Sequence, residues 1–312
     1  MTVIKQAELP NTEFGNDPSD HRKDLTYLES INPSSLDAAW REEFKLTREE
    51  VLSLSDVTWI YPNLLIEGHL VVIPAPPNAG KTTVMMWLAG EIAADYDVVY
   101  VNADIAGSDV KEMVLFAEDK GFHFLTPDMK LGKSMADVVE KLKKMNETGT
   151  DFSGQVFIFD TLKKMTDVIN KRAAKDLLAT LRGLSTKGMT IILLAHTNKY
   201  KGADGKDIFE GTGDIKSDVD EMIYLESQRN ADGSMTVSTY PDKVRNKFEA
   251  ITFTISADRE VSRSDFIDVE KTNRDRVQRT KDQDVVEAIQ EAINQHFPTK
   301  ISKFEVNYYI FD

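Results

Sequence analysis

The fold of this chain is decided by one stretch, which reads Leu70-Val71-Val72-Ile73-Pro74-Ala75-Pro76-Pro77-Asn78-Ala79-Gly80-Lys81-Thr82-Thr83. Its first five residues form an apolar run that predicts a buried strand. The remainder fits the relaxed pattern A/G-x-x-x-x-G-K-S/T of a phosphate-binding P-loop. Apolar residues at helical spacing follow, at Val84, Trp87, Leu88 and Ile92. A loop between a strand and a helix directs its backbone N–H groups and the helix N-terminus at one phosphate, so we expect a nucleotide site here.

The predicted ligand of this loop is ATP with Mg²⁺. Gly80 permits close approach of the backbone, Lys81 reaches the β- and γ-phosphates, and Thr82 gives a hydroxyl to the metal ion. Ala75 replaces the glycine usual at the first position, and we expect binding to survive because a methyl group is small. An ordinary Gly-Lys turn is the alternative interpretation. The predicted nucleotide-binding residues are Pro77, Asn78, Ala79, Gly80, Lys81, Thr82 and Thr83.

The composition indicates a globular protein without disulfides. A chain of 312 residues can bury about three quarters of its unfolded surface, so it needs no structural metal to fold. It contains no cysteine, and residues 1–20 lack the apolar segment of a secretory signal. No apolar stretch approaches the roughly 20 residues of a membrane span, so we expect a cytoplasmic protein without membrane contact. A net charge of −14 opposes binding of nucleic acid over the whole surface but leaves room for a local basic channel.

From His69 onward, apolar runs alternate with amphipathic stretches, which is typical of βαβ units around a mainly parallel sheet. Strands are predicted at residues 69–74, 98–102, 155–160, 189–195 and 221–225. Helices are predicted to begin near Lys81, Ser108, Ser134 and Lys171. Two segments of alternating polarity, 235–240 and 250–256, predict antiparallel strands that extend the sheet. The predicted fold class is therefore α/β, with helices flanking a twisted sheet.

Outside this core, the sequence predicts two appendages. Residues 1–50 have few regularly spaced apolar positions and are predicted to be a tail or linker, and residues 51–258 form the ATPase domain. Residues 259–312 are predicted to be a linker and a C-terminal helical extension. Within it, 262–281 is charge-dense, a linker or an exposed helix, and 283–296 has the spacing of a small helix.

A carboxylate ends the most apolar predicted strand, Val156-Phe157-Ile158-Phe159-Asp160. Downstream of a P-loop, such a residue holds the shell of the Mg²⁺ ion, so Asp160 is predicted to share the metal with Thr82. A buried strand that ends in a helix-capping Asp is the other interpretation.

Four further stretches resemble motifs of the RecA-like P-loop ATPases, in the branch that contains the plasmid helicase RepA and the replicative helicase DnaB. They are Tyr-Val-Asn-Ala-Asp at 100–104, Ile-Ile-Leu-Leu-Ala-His-Thr-Asn-Lys at 191–199, the glycine-rich segment 199–212, and Lys-Val-Arg-Asn at 243–246. The resemblance covers about residues 59–256 and implies a RecA-like core. It also implies a short helix within 213–221 that leads into the next strand.

The resemblance implies catalytic roles for two residues at strand ends. Asp104 stands where the family usually has a glutamate that polarises the attacking water. Because an aspartate is one methylene shorter, either the backbone must bring its carboxylate closer to the water or the carboxylate must act through a second water. His196 stands at the family's γ-phosphate sensor. Each residue also has a structural interpretation, Asp104 as a turn cap and His196 as a packed side chain.

The resemblance also implies partners. Segment 199–212 corresponds to the family's DNA-contacting loop, where Lys199, Lys201 and Lys206 are candidates to meet phosphates, but its acidic residues equally fit a solvated surface loop. Lys243 and Arg245 correspond to an element that reaches a neighbouring subunit's ATP in DnaB-type rings, although such a triplet alone is usually a solvated turn. The implied assembly is a homo-oligomeric ring, a hexamer by analogy.

These observations lead to three functional hypotheses. The first is a ring ATPase that couples hydrolysis to translocation on, or remodelling of, single-stranded DNA in replication or recombination, together with protein partners of those processes. The second is a regulatory ATPase of the same core that switches protein partners, which the acidic pI favours. The third, a small-molecule kinase, is disfavoured because residues 203–214, where its lid would lie, contain no arginine. Trp59 and Tyr240 are candidates to stack on adenine, though such aromatic residues more often pack in cores.

Overall fold

The computed structural model describes residues 41–53, 56–105, 107, 109–202 and 206–296. The chain divides into two compact units, Met1–Asp56 and Val57–Asp312. Three parts of the predictions lie outside the described residues: positions 1–40 of the predicted tail over 1–50, the end of the predicted C-terminal extension at 297–312, and the predicted helix start at Ser108.

The first unit contains helix α1 at Arg48–Ser53. A capping box precedes it: the backbone N–H of Thr47 donates to the Glu50 carboxylate at 2.6 Å, and the Glu50 N–H donates to the Thr47 hydroxyl at 3.2 Å. The carboxylate and hydroxyl thus satisfy two backbone donors at the start of the helix.

The second unit alternates strands and helices as predicted. Its described strands are β1 Trp59–Tyr61, β2 Leu65–Ile66, β3 Leu70–Ala75, β4 Asp97–Asn102, β5 His123–Leu125, β6 Gln155–Asp160, β7 Thr190–His196, β8 Glu221–Arg229, β9 Met235–Lys243, β10 Thr252–Ile255 and β11 Val261–Ser264. Its described helices are α2 Lys81–Ile92, α3 Asp109–Lys120, α4 Met135–Asn146, α5 Leu162–Met165, α6 Lys171–Ser185, α7 Gly213–Asp218 and α8 Val269–His296, with a 3-10 turn at Pro127–Met129.

Nine strands form one sheet in the order β11-β10-β9-β8-β3-β7-β6-β4-β5. Strands β8, β3, β7, β6, β4 and β5 are parallel to their neighbours within this run. Strands β9, β10 and β11 add to the β8 side in antiparallel fashion. The predicted α/β class, a mainly parallel sheet extended by antiparallel strands, is confirmed.

Strand β3 lies between β7 and β8, and both of its faces are covered. Val71 and Ile73 belong to the core under α2, whereas Leu70 and Val72 belong to the core under α6. A strand buried on both faces is apolar at every position, which is why this stretch has no alternation. Because β3, β4, β6 and β7 are parallel, their carboxyl ends meet at one edge of the sheet.

The C-terminal part differs from the prediction in two respects. Strand β11 lies at the start of the charge-dense stretch 262–281. From Val269 this stretch is helical, as its exposed-helix alternative predicted, and it continues into the predicted small helix as one helix of 28 residues, α8. Pairs four residues apart sustain this charged helix. They are Glu270 with Arg274 at 3.0 Å, Gln278 with Asp282 at 2.7 Å and Gln283 with Glu287 at 3.2 Å. Within the described ranges, no helix is both long and apolar enough to cross a membrane.

Candidate active site

A cavity of about 690 Å³ opens at the carboxyl ends of β3, β4, β6 and β7. All seven residues of the predicted nucleotide loop line it, from Pro77 to Thr83. Asp104, Asp160 and His196 line it as well, so four of the six predicted catalytic residues, with Lys81, face one space. Its volume lies within the range of about 300–1,000 Å³ that small-molecule and cofactor sites have.

The loop between β3 and α2 has the backbone of an anion site. Asn78 and Gly80 adopt left-handed conformations, with φ of 60° and 78°. Helix α2 then begins at Lys81, and its N-cap residue, Gly80, has no side chain that could cap the helix. The first N–H groups of a helix have no intrahelical acceptor, so the uncapped start of α2 presents donors and the positive end of a dipole to the cavity.

Lys81 is buried at the centre of the site, with 7% of its surface exposed. Its Nζ donates to the carbonyl oxygen of Ala195 at 2.9 Å, near the end of β7. Burial lowers the pKa of Lys81, while the charges of Asp160 and Asp104 raise it. An ammonium has three donors, so one bond to a carbonyl leaves capacity for phosphate oxygens.

Thr82 and Asp160 form the oxygen pair that a Mg²⁺ ion would require. The Thr82 hydroxyl donates to Asp160 Oδ2 at 2.7 Å, and the carboxylate is buried. No cluster of three or more His, Cys, Asp or Glu side chains that could hold a metal occurs among the described residues. Mg²⁺ typically binds through few protein oxygens plus phosphates and water, so this donor set fits it. When bound, the ion would neutralise charge on the β- and γ-phosphate oxygens.

Two residues that sequence reasoning missed hold Asp160 in place. Tyr100 donates its hydroxyl to Asp160 Oδ2 at 2.9 Å, and Asn102 Nδ2 lies 3.5 Å from the same oxygen. Burial, followed by the charge of Asp160, raises the pKa of Tyr100 well above its usual value, so the phenol remains a neutral donor. The available signal was two polar residues at alternate positions near the end of β4, on one face of a strand that is apolar at Val98, Val99 and Val101.

Asp104 and His196 meet across the cavity. His196 Nε2 lies 3.9 Å from Asp104 Oδ2, and Lys164 Nζ lies 3.2 Å from Asp104 Oδ1. Burial and the charges of Lys81 and Lys163 lower the pKa of His196, which favours the neutral imidazole. Its Nδ1 is buried without a hydrogen-bond partner among the described residues. A neutral imidazole can donate one hydrogen bond to an anionic group in the cavity.

The far wall of the cavity comes from the antiparallel strands and was not predicted. Arg229, Gly233 and Met235 line it from the β8–β9 hairpin. Arg259, in the turn after β10, approaches the loop directly, with Nη2 at 3.4 Å from the Thr83 hydroxyl. These residues lie far from the P-loop in sequence, so local patterns carry no sign of them.

The two candidates for adenine stacking do not line the cavity. The Trp59 ring packs edge-on against Phe248, with centroids 4.8 Å apart. The Tyr240 hydroxyl donates to Asp268 at 3.0 Å and accepts from the N–H of Glu270 at 2.8 Å. Both rings therefore serve packing and helix anchoring within their own unit.

Lys243 and Arg245 lie outside the cavity of their own chain. Lys243 Nζ donates to the carbonyl oxygens of Lys216, Ser217 and Val219, at 2.8, 2.7 and 2.6 Å, around the C-terminal end of α7. Arg245 Nε lies 2.5 Å from Asp220 Oδ1. Asp220 also pairs with Arg182 through its other oxygen, at 2.6 Å. Their predicted contact with a neighbouring subunit's ATP stays a prediction.

The segment after β7 is tied at its base. Thr197 and Phe209 form an antiparallel bridge, and the Asn198 N–H donates to the Ile208 carbonyl at 2.7 Å. Lys201 pairs with Asp207 at 3.1 Å and with Glu226 at 3.2 Å, and these carboxylates raise its pKa against the effect of burial. Residues 203–205 lie outside the described part. Of the three candidate lysines, Lys201 thus already has its positive charge balanced by two carboxylates of its own chain.

Gly80→Ala is expected to abolish ATP binding and to lower the melting temperature. At φ 78°, any residue with a Cβ is strained, and that Cβ would lie 2.6 Å from Ile255 Cδ1 and 3.2 Å from Met235 Sδ. The backbone strain costs about 1–3 kcal/mol, and the end of the Ile255 side chain must also shift. Isothermal titration with ATP and a thermal melt measure both effects.

Gly121→Ala is the matched control. Gly121 has φ 82°, but no described atom lies within 4 Å of the position that a Cβ would take there. This variant should lose stability only and retain ATP binding. Equal ATP affinities of the two variants would contradict the contact between the P-loop and the strands β9 and β10.

Comparisons with known proteins give a family match and many structural neighbours, among them two distant ones. A family model described as an AAA domain matches residues 41–202, just over half of the chain. The flagellar accessory protein FlaH from Methanocaldococcus jannaschii is 18% identical, with 63% of this chain and 90% of that chain covered and a TM-score of 0.42. The RadB recombinase is 17% identical, with 64% and 92% covered and a TM-score of 0.45. No curated protein matches the sequence significantly.

Proposed function

Since this chain belongs to the AAA domain family and is a RecA-like P-loop ATPase domain, we propose that it couples ATP hydrolysis to movement on, or remodelling of, single-stranded DNA. The proposal includes a homo-oligomeric ring, a hexamer by analogy, that acts in the cytoplasm with protein partners in replication or recombination. It also includes residues 51–258 as the ATPase domain, with 1–50 and 259–312 as appendages.

The observation that carries the ATPase part is the meeting of four strand ends at one cavity. In the proposed roles, Lys81 and the α2 N-terminus hold the β- and γ-phosphates, while Thr82 and Asp160 hold Mg²⁺. Asp104 accepts the proton of the attacking water, directly or through a second water. His196 donates a hydrogen bond to the γ-phosphate and loses it when that phosphate leaves.

The DNA part of the proposal is supported by the position of the segment after His196. The bridge between Thr197 and Phe209 closes its base one residue beyond the proposed sensor. A change at His196 on loss of the γ-phosphate would therefore reach this segment through one peptide unit. In this proposal, Lys199 and Lys206 are the candidates to contact DNA phosphates, and the Lys199 Nζ lies 5.9 Å from the centre of the Tyr200 ring.

A regulatory ATPase that switches protein partners is the second candidate, and two observations favour it. The net charge is −14, which repels nucleic acid at long range. In addition, the ion pairs of Lys201 with Asp207 and Glu226 remove one of the lysines proposed to meet DNA. This candidate shares the cavity and its chemistry and differs only in the ligand of the segment after β7.

Single-stranded DNA is expected to raise the ATPase rate of the full chain at least about fivefold, the lower end of coupling between two sites. The stimulation should weaken as salt is added, because phosphate contacts release counterions. Steady-state hydrolysis with and without a homopolymeric oligonucleotide, at low and physiological salt, measures it. Light scattering after size exclusion under the same conditions reports the assembly.

Two charge reversals sharpen this test. Lys199→Glu should remove the stimulation while preserving the DNA-free rate. Lys247→Glu, at a side chain that is 91% exposed and outside the proposed DNA segment, should change neither. An unstimulated rate for the unmodified chain in low salt would favour the regulatory candidate.

A further inference from the structure

Helix α5 places Lys164 beside Asp104 and brings the charge of Lys163 near Lys81 and His196. It begins two residues after Asp160 and is only four residues long. Leu162 and Met165 are buried in the core, so the exposed Lys163 and Lys164 between them start from a fixed backbone. Lys164 Nζ lies 3.2 Å from Asp104 Oδ1. The charged group that faces Asp104 most closely among the described residues is therefore a cation outside the P-loop.

The backbone of Asp104 is fixed as well. Asn102 is buried, and its Oδ1 accepts hydrogen bonds from the N–H groups of Asp104 and Ile105 at 2.9 and 3.0 Å. Only rotation of the side chain can redirect the Asp104 carboxylate. One of its oxygens lies next to Lys164 and the other lies 3.9 Å from His196 Nε2.

A carboxylate that accepts a proton from water must present a lone pair to that water. In the observed orientation, the Lys164 ammonium lies 3.2 Å from Oδ1 of Asp104 and so restrains where this carboxylate points. An aspartate has one methylene less than a glutamate with which to turn toward a water while it keeps that ion pair. The geometry points to Lys164 as a positioning residue that restrains Asp104 in the resting enzyme and must release it before each hydrolysis. This inference rests on the proposed ATPase function.

The restraint is small, because both side chains are exposed, 43% for Lys164 and 37% for Asp104. Exposed ion pairs contribute little free energy, so the restraint can be overcome thermally or by a ligand that draws Lys164 away. An anionic group that enters the cavity is such a ligand, since Lys163 and Lys81 make this part of the site positive.

Lys164→Met in the full chain tests the inference. The expected result is a DNA-free kcat about two- to fivefold higher than that of the unmodified chain, with KM and the Kd of a non-hydrolysable ATP analogue unchanged. Lys164→Arg, which keeps the cation, should behave as the unmodified chain. Lys143→Met is the matched control: Lys143 is 46% exposed and pairs with Glu140 at 2.6 Å on α4, outside the cavity, and its loss should leave kcat unchanged.

A lower or unchanged kcat in Lys164→Met, at a melting temperature like that of the unmodified chain, overturns the inference. If Asp104→Asn alone abolishes turnover and Lys164→Met changes nothing, only this inference fails. If Asp104→Asn hydrolyses ATP at the normal rate, the catalytic role of Asp104 in the proposed function fails too.

Discussion

Arg245→Ala is expected to stop ATP turnover while leaving ATP binding intact. Arg245 does not line the cavity of its own chain, so its loss removes no contact to the bound nucleotide there. In the proposed ring it stabilises the charge that develops on a neighbour's γ-phosphate, and such an arginine contributes about 10³-fold or more to the rate. Steady-state hydrolysis and titration with a non-hydrolysable analogue measure the two halves of this prediction.

Arg182→Ala is the control for the effect of Arg245 on its own chain. Both guanidinium groups pair with Asp220, at 2.5 and 2.6 Å, so a loss that acts only through Asp220 would follow either substitution. A mixing experiment adds a sharper criterion. Arg245→Ala subunits have an intact P-loop and Lys81→Ala subunits an intact arginine, so mixed rings should recover part of the activity. An Arg245→Ala variant that hydrolyses ATP normally as a monomer would contradict the proposed ring.

Asp160→Asn is expected to lower kcat by about three orders of magnitude, the several kcal/mol that a positioned metal ion contributes. The amide keeps the size of the side chain but removes the negative charge that would attract the ion. That charge lies on the carboxylate that accepts hydrogen bonds from Thr82 and Tyr100. ATP binding without Mg²⁺ should remain. Hydrolysis measured across a Mg²⁺ titration, beside binding in EDTA, separates these effects.

Tyr100→Phe is the conservative partner of this variant. It removes one hydrogen bond to Asp160 and leaves the carboxylate in place, so kcat should fall less than about tenfold. If Asp160→Asn falls no further than Tyr100→Phe, Asp160 is a structural residue and the Mg²⁺ site lies elsewhere.

The sequence was most informative where local patterns carry the structure. The apolar run, the Gly-Lys-Thr triplet and the helical spacing after it predicted β3, the loop and α2 because all three follow from neighbouring residues. The same holds for the strand that ends at Asp160, which has the predicted bounds. Once these strands are parallel, the geometry of a parallel sheet places their carboxyl ends together, so the near half of the site followed from the sequence.

The remaining parts depend on contacts between distant residues. Arg259 lies 176 positions from Thr83, and no spacing rule joins them. Lys164 could not be predicted for another reason. Lysines on a short helix usually face solvent, and only the turn of α5 directs one of them at Asp104. The first half of helix α8 was left open between a linker and an exposed helix because it lacks an apolar face. Its pairs of side chains four residues apart support the helical alternative.

The three hydrogen bonds from Lys243 to the end of α7 bear on the order in which the subunits of the proposed ring would hydrolyse ATP. Helix α7 connects the segment after β7 to strand β8. The Lys243 ammonium donates three hydrogen bonds to carbonyl oxygens around the C-terminal end of this helix. That ammonium cannot hold α7 and touch a neighbour's phosphate simultaneously. In a ring, each Lys243 would therefore either bond the end of its own α7 or contact the ATP of the next subunit. In the proposed ring, this competition for Lys243 would favour sites that hydrolyse ATP one after another over sites that hydrolyse it together.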